Sequence, residues 1–192
     1  MDKKLLEQEI EKAVKVLKEG KTILYPTDTI WGIGCDATNA KAVDKIYKIK
    51  RREKGKSMII LLDSAEKLQN YVEKVPAIVY DLIEQTQTPL TIIYQNAKNL
   101  AKNLTPEDNS IAIRIVKGEF CNEMIKRFGK PVVSTSANLS GAPSPLSFND
   151  VAEEIVNQVD HVVHVFKDRI RSTKASKIIK LEENGLFKVI RE

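Results

Sequence analysis

Residues 177–191, KIIKLEENGLFKVIR, decide the fold class. KIIKL and LFKVIR are apolar and rich in β-branched residues, and only a short turn around Glu183-Asn184-Gly185 separates them. Two strands joined so closely run antiparallel, because a parallel pair needs a crossover of roughly a dozen residues or more. Upstream of this hairpin the pattern changes, and helical and strand-like segments interleave along the chain. Leu6, Ile10, Ala13 and Leu17 recur at helical spacing and predict an amphipathic helix stopped by Gly20. TILY (22–25) reads as a buried strand ending at Pro26, and TDTIWGIG (27–34) as a functional loop or a bent strand. Asn39 is placed to cap a helix whose Ala42, Ile46 and Ile49 face the core.

Five further strands are predicted: SMIILL (57–62), PLTIIYQ (89–95), SIAIRIV (110–116), PVVST (131–135) and HVVHVF (161–166). The helices between them are DSAEKLQNYV, capped by Asp63 or Ser64, PAIVYDLIEQT with Pro76 in its first turn, GEFCNEMIKRF closed by Gly129, and SFNDVAEEIVNQV opened by Ser147 or Asn149. The expectation is an α/β fold, a helix-covered sheet of mixed parallel and antiparallel strands, in one domain over residues 1–192.

Composition narrows the function classes. Hydrophobic residues make up 42% of the chain and charged ones 30%, enough for a core and far from the signature of disorder. No apolar run reaches the roughly 18–20 residues of a membrane span, and the charged start MDKKLLEQEIEK is unlike a signal peptide, so a cytoplasmic protein is expected. Cys35, Cys121, His161 and His164 are the only cysteines and histidines, which excludes a disulfide scaffold and a Cys/His zinc site. The net charge of +5 is concentrated: residues 41–56 hold eight Lys or Arg against two acids, and residues 167–180 hold six against one. Such density suits polyphosphate or nucleic acid, and it equally suits a solvated helix face with a basic loop.

Three clusters could carry chemistry. In Tyr25–Gly34, Thr27, Asp28 and Thr29 can hold the amine, carboxylate or hydroxyl of a small ligand, while Gly32 and Gly34 let a backbone approach; a plain turn fits the same residues. Lys50-Arg51-Arg52, followed by Lys54 and Lys56, straddles a helix end. An extended chain there would turn residues 50 and 52 to one side, where a single anion meets both; solvated residues at a helix C-terminus are the alternative. In Ser134–Ser144 the hydroxyls and Asn138 follow the strand PVV and form a neutral cradle for phosphate or ribose, or else a turn that caps its own backbone. Asn138-Leu139-Ser140-Gly141 is not a serine-hydrolase elbow. Arg114 lies within SIAIRIV; pointing inward it needs an anionic partner such as a ligand carboxylate, and pointing outward it is an ordinary surface residue.

Taken together, YPTDTIWGIGCD, the K-x-R of Lys50 and Arg52, IAIRI and STSANLSG resemble the YrdC-like family, the threonylcarbamoyl-AMP synthases, from about Gly20 to Arg191. The resemblance implies the YrdC-like twisted mixed sheet, flanked by helices around a basic cavity, in its single-domain form. It implies a nucleotidyltransferase that joins L-threonine, bicarbonate and ATP, with Mg2+, into threonylcarbamoyl-AMP and pyrophosphate. The product would pass to tRNA or to tRNA-modification proteins. By the same resemblance Lys50, Arg52, Ser136 and Asn138 hold the phosphates catalytically, and Lys56, Ser110, Ser144 and Arg191 complete the nucleotide site. Thr29 and Arg114, with Ser134 and Ser176, would hold threonine. Where the family commonly reads Lys-Pro-Leu and then a His, this chain has Lys56-Ser57-Met58 and Leu61. A non-catalytic module of the same fold that binds double-stranded RNA or tRNA is the alternative; the hydroxyl cradle and Arg114 favour the synthase, since binding an RNA backbone needs neither.

Overall fold

The computed structural model describes residues 3–53, 55–56, 58–167, 175–182 and 185–192. Among them the helices are α1 (Lys3–Lys18), α2 (Ala40–Ile49), α3 (Ala77–Gln85), α4 (Glu119–Phe128) and α5 (Glu153–Gln158). The strands are β1 (Ile23–Pro26), β2 (Trp31–Gly34), β3 (Ile59–Leu62), β4 (Leu90–Tyr94), β5 (Ile111–Ile115), β6 (Val132–Ser136), β7 (His161–Val162), β8 (Lys177–Leu181) and β9 (Phe187–Arg191). The described strands join in one sheet of order β7-β1-β2-β6-β3-β5-β4-β8-β9. β1 with β7, β3 with β5 and β4 with β8 are parallel, and the other neighbours are antiparallel, including β8 with β9 as their short connection requires. No helix among the described residues is long and apolar enough to cross a membrane.

Local chemistry explains most element ends. Gly20 (φ 70°) follows α1 and Gly129 (φ 79°) closes α4, both in the left-handed conformation that lacks a Cβ penalty only for glycine. The Asn39 side chain accepts from the Lys41 and Ala42 backbone N–H groups at the start of α2.

Three segments depart from the expectation. Residues 147–159 form not one helix but a 3-10 turn (Phe148–Asp150) followed by α5, since Ser147 and Asp150 close a capping box on the turn and Val151 then extends (ψ 124°). Residues 65–70 are 3-10 rather than α; Ser64 makes no side-chain cap bond, and Asp63 is drawn to Lys67 at 2.7 Å. Of HVVHVF only His161 and Val162 pair, at the sheet's edge against β1.

Alternation along the strands sends successive side chains to opposite faces. One face carries Leu24, Ile33, Ile60, Ile113 and Val133 into a core covered by α2 and α3. The other carries Tyr25, Leu61 and Val132 into a second core, closed by Leu6, Ile10 and Leu17 of α1 and by Phe120, Met124 and Phe128 of α4. Registered neighbours share a face, so Gly32 lies beside Ser136, Ser134 beside Ile59, Ile59 beside Ala112, and Arg114 between Leu61 and Thr91. That second face therefore begins as packed core and continues as polar surface. Gly34 marks the tight end: a Cβ there would lie 2.5 Å from the Val133 carbonyl oxygen and 2.7 Å from Tyr25 Cε1. The obstructing oxygen belongs to a neighbouring strand that cannot give way alone. Gly34→Ala is expected to cost about 2 kcal/mol in urea unfolding, from overpacking.

Candidate active site

The polar part of that face lines a cavity of about 280 Å³. Its floor is the sheet, with Gly32, Ala112, Arg114, Ser134 and Ser136 among the lining residues, and its far wall is the β8–β9 hairpin with Ser176, Ile178 and Arg191. Arg52, Arg114 and Arg191 all line it, and no described lining residue is acidic. The cavity is thus built for an anion. Burial, then the neighbouring Arg114 charge, lowers the pKa of Arg191. Two cations facing one space without an acid between them favour a negatively charged occupant.

Arg114 points inward and is 4% exposed. Its anionic partner lies within the chain, since one terminal nitrogen sits 3.1 Å from Asp28 Oδ1. The other donates to Thr29 Oγ1 at 3.3 Å, and Nε is buried with no hydrogen-bond partner. The loop after β1 holds this acceptor in place. Thr27 Oγ1 donates to the Ile30 carbonyl at 2.7 Å and accepts from the Thr29 backbone N–H at 3.0 Å, and the two threonine hydroxyls lie 2.9 Å apart. With the Thr27 proton spent on Ile30, Thr29 donates to Thr27 and keeps a lone pair for Arg114.

The basic run does not extend as expected. Lys50 is helical (φ −80°, ψ −7°) and Arg51 left-handed (φ 49°), so residues 50 and 52 leave the helix differently. Arg52 reaches the cavity, its Nε donating to the Lys56 carbonyl at 3.2 Å. Lys50, 1% exposed, instead lies behind the wall, where Nζ donates to the carbonyls of Ser136 at 2.5 Å and Asn138 at 2.6 Å. Burial, reinforced by Arg52, lowers its pKa to about 8.

Thr29, Arg114, Ser134, Ser136, Ser144, Ser176, Arg52 and Arg191 converge on the cavity. Lys56, Ser110 and Asn138 are not in its lining. Lys56 is exposed and paired with Glu53 at 2.8 Å, while the Ser110 backbone N–H donates to Asp108 Oδ1 at 3.0 Å. The Asn138 amide ties down the loop beyond it, donating to the carbonyls of Leu139 and Ala142 at 3.0 and 2.6 Å. Lys54 and Ser57 lie outside the described residues. Leu61 is fully buried beside Arg114, so the position carries core packing rather than a polar contact.

Sequence reasoning missed Thr91, which is buried on β4 and shares a 2.7 Å hydrogen bond with the Ser176 hydroxyl; its polarity within PLTIIYQ was the available signal. It also missed the Arg191 guanidinium clasping the Ser176 carbonyl at 2.7 and 3.0 Å. Trp31, whose ring packs edge-on against Phe148 at 5.1 Å, lines the cavity as well.

The Sua5/YciO/YrdC family model, described as Telomere recombination, matches residues 15–192. The chain belongs to this family. A threonylcarbamoyl-AMP synthase of Pseudoalteromonas translucida is 35% identical over 157 residues, covering 80% of this chain and 84% of that protein. The structure of Pyrococcus abyssi Sua5 complexed with L-threonine superposes with a TM-score of 0.87 at 28% identity, covering 96% of this chain and 54% of that one. This chain thus spans about half the length of that Sua5. Escherichia coli YciO shares the fold, with a TM-score of 0.83 at 23% identity over 97% of this chain and 89% of its own. The Sua5/YciO/YrdC architecture and the expected mixed sheet therefore agree.

Proposed function

We propose that this chain is an L-threonylcarbamoyladenylate synthase, joining L-threonine, bicarbonate and MgATP into threonylcarbamoyl-AMP and pyrophosphate. The observation that carries the reading is the buried Arg114, with an unpartnered Nε, in an acid-free cavity that two further arginines share. The curated relatives named for this activity support it. The threonine amine takes up bicarbonate-derived CO2 to give a carbamate, and a carbamate oxygen attacks the α-phosphorus while pyrophosphate leaves. No protein nucleophile is needed, and catalysis is positioning plus charge neutralisation.

Arg114 and Thr29 receive the amino acid, Arg114 through its carboxylate. Arg52, Ser136, Ser144 and Arg191 receive the nucleotide, with Lys50 fixing the 136–138 backbone from behind. The described lining offers hydroxyls but no carboxylate, a donor set that suits magnesium arriving on the triphosphate with its own waters. The acyl-adenylate is hydrolytically labile and needs prompt transfer, and the family resemblance points to a tRNA adenosine, by way of tRNA-modification proteins, as the acceptor. Pyrophosphate release should require MgATP, bicarbonate and threonine together, and fall to background when any one is omitted. Folded protein that binds RNA but releases no pyrophosphate would return the chain to the binding-module reading.

A further inference from the structure

On the opposite face of the sheet, at the end of β5, lies a second cavity of about 270 Å³. Half of its lining residues are aliphatic, with Ile92 and Ile113 in register on adjacent strands and Ile83 of α3 above them, and Thr86, Gln87 and Thr88 add neutral polar groups. Its described lining holds a single acid, Asp28, and a single base, Lys117. Asp28 is the same residue that pairs with Arg114 of the main cavity. It is 12% exposed, and its Oδ1 has that ion pair but no hydrogen bond. Lys117 is exposed, its Nζ resting on the Thr86 carbonyl at 2.5 Å. Next to it Gly118, also in the lining, stands at the N-cap of α4 without a side-chain cap.

This arrangement selects among ligand types. A hydrocarbon would cover the Asp28 carboxylate without replacing its water. A simple amine would satisfy Asp28 but leave Lys117 and the positive end of α4 unused. A zwitterion with an aliphatic body engages both charges and the aliphatic wall, and the volume lies below the roughly 300–1,000 Å³ of pockets for drug-sized molecules. We propose that this second cavity binds an α-amino acid with an aliphatic side chain, its ammonium on Asp28 and its carboxylate on Lys117, and that occupation strengthens carboxylate binding at Arg114. An ammonium that takes up the Asp28 charge leaves Arg114 less neutralised, so the guanidinium pulls harder on an anion across the sheet. The coupling rests on the main cavity being the threonine site; the binding does not.

Calorimetry of L-leucine against the full chain tests the binding. Saturable binding is expected, weakened at least roughly tenfold in Ile83→Trp, which fills the cavity, and in Lys117→Ala, a surface change that leaves the fold intact. Isoamylamine and 4-methylpentanoate, each lacking one charge, should bind at least roughly tenfold more weakly than leucine. With leucine saturating, the threonine dissociation constant should fall about fivefold in the wild type and stay unchanged in Ile83→Trp. Absence of leucine binding at millimolar concentration overturns the site, as does binding that survives both substitutions and is displaced by threonine. Leucine binding that leaves threonine affinity untouched overturns the coupling. Threonine that fails to bind any variant, while leucine still binds, removes the synthase reading and leaves the second site standing.

Discussion

Lys50→Met is expected to lower pyrophosphate release by about 10²–10³-fold, a loss on the scale of removing a preorganised donor. In the wild type the buried ammonium ties down the carbonyls of Ser136 and Asn138. A methionine leaves the Asn138 carbonyl without that donor, at about 1–3 kcal/mol, and loosens the Ser136 carbonyl, which of these two donors keeps only the Asn138 backbone N–H at 2.9 Å. The ammonium donates to both carbonyls and holds its charge directly behind the segment that presents the Ser136 hydroxyl to the cavity. Deprotonation removes that charge and weakens the hold on the two carbonyls. With the pKa held at about 8, nucleotide-dependent activity should decline as pH rises through that value, and the residual activity of Lys50→Arg should lack this alkaline limb.

Stability runs the other way. The folded-state pKa lies below the ordinary 10.5, so between about 8 and 10.5 the unfolded chain binds more protons at this site. The contribution of Lys50 to unfolding free energy therefore rises with pH across that window, by up to about 3 kcal/mol. Denaturant titrations at several pH values, compared with Lys50→Met, would detect it. A flat difference between the two proteins would reject the lowered pKa.

Arg114→Ala is expected to raise the KM for threonine by about 100-fold while leaving that for ATP within a few fold, the pattern of a lost charge-assisted contact to one substrate. The same substitution leaves Asp28, 12% exposed, without its ion-pair partner. Breaking one side of a buried pair costs about 3–5 kcal/mol. Folding and binding effects separate in the double variant Asp28→Asn/Arg114→Met, which removes both charges; it should regain most of the stability and none of the threonine affinity. Equal KM changes for both substrates would mean that Arg114 does not discriminate the amino acid.

Much of this molecule was legible in its residues. The hairpin of β8 and β9, the capped start of α2 and the glycine stops of α1 and α4 follow from local rules that tertiary context did not override. The inward direction of Arg114 was one of two readings, and only the loop carrying Asp28 decides it. What the sequence concealed was depth. KIKRR reads either as a pair of cations meeting one anion or as solvated residues at a helix end, yet Lys50 is buried behind a strand while Arg52 reaches the cavity. That outcome depends on where β6 runs, some eighty residues away in sequence. The break after Asp150 was hidden for a different reason, because a capping box can open either an α-helix or a single 3-10 turn.

The sheet face shared by the second core and the main cavity has a thermal consequence. Arg114, braced by Asp28 and Thr29, also stands beside Leu61, whose packing is completed by α1 and α4. Were α1 the first element to loosen on warming, the cavity floor beside it would be disturbed before the core beneath α2 and α3. The heat limit of this protein would then appear first as a rising substrate requirement, at temperatures where the circular dichroism of the sheet is still that of the native protein.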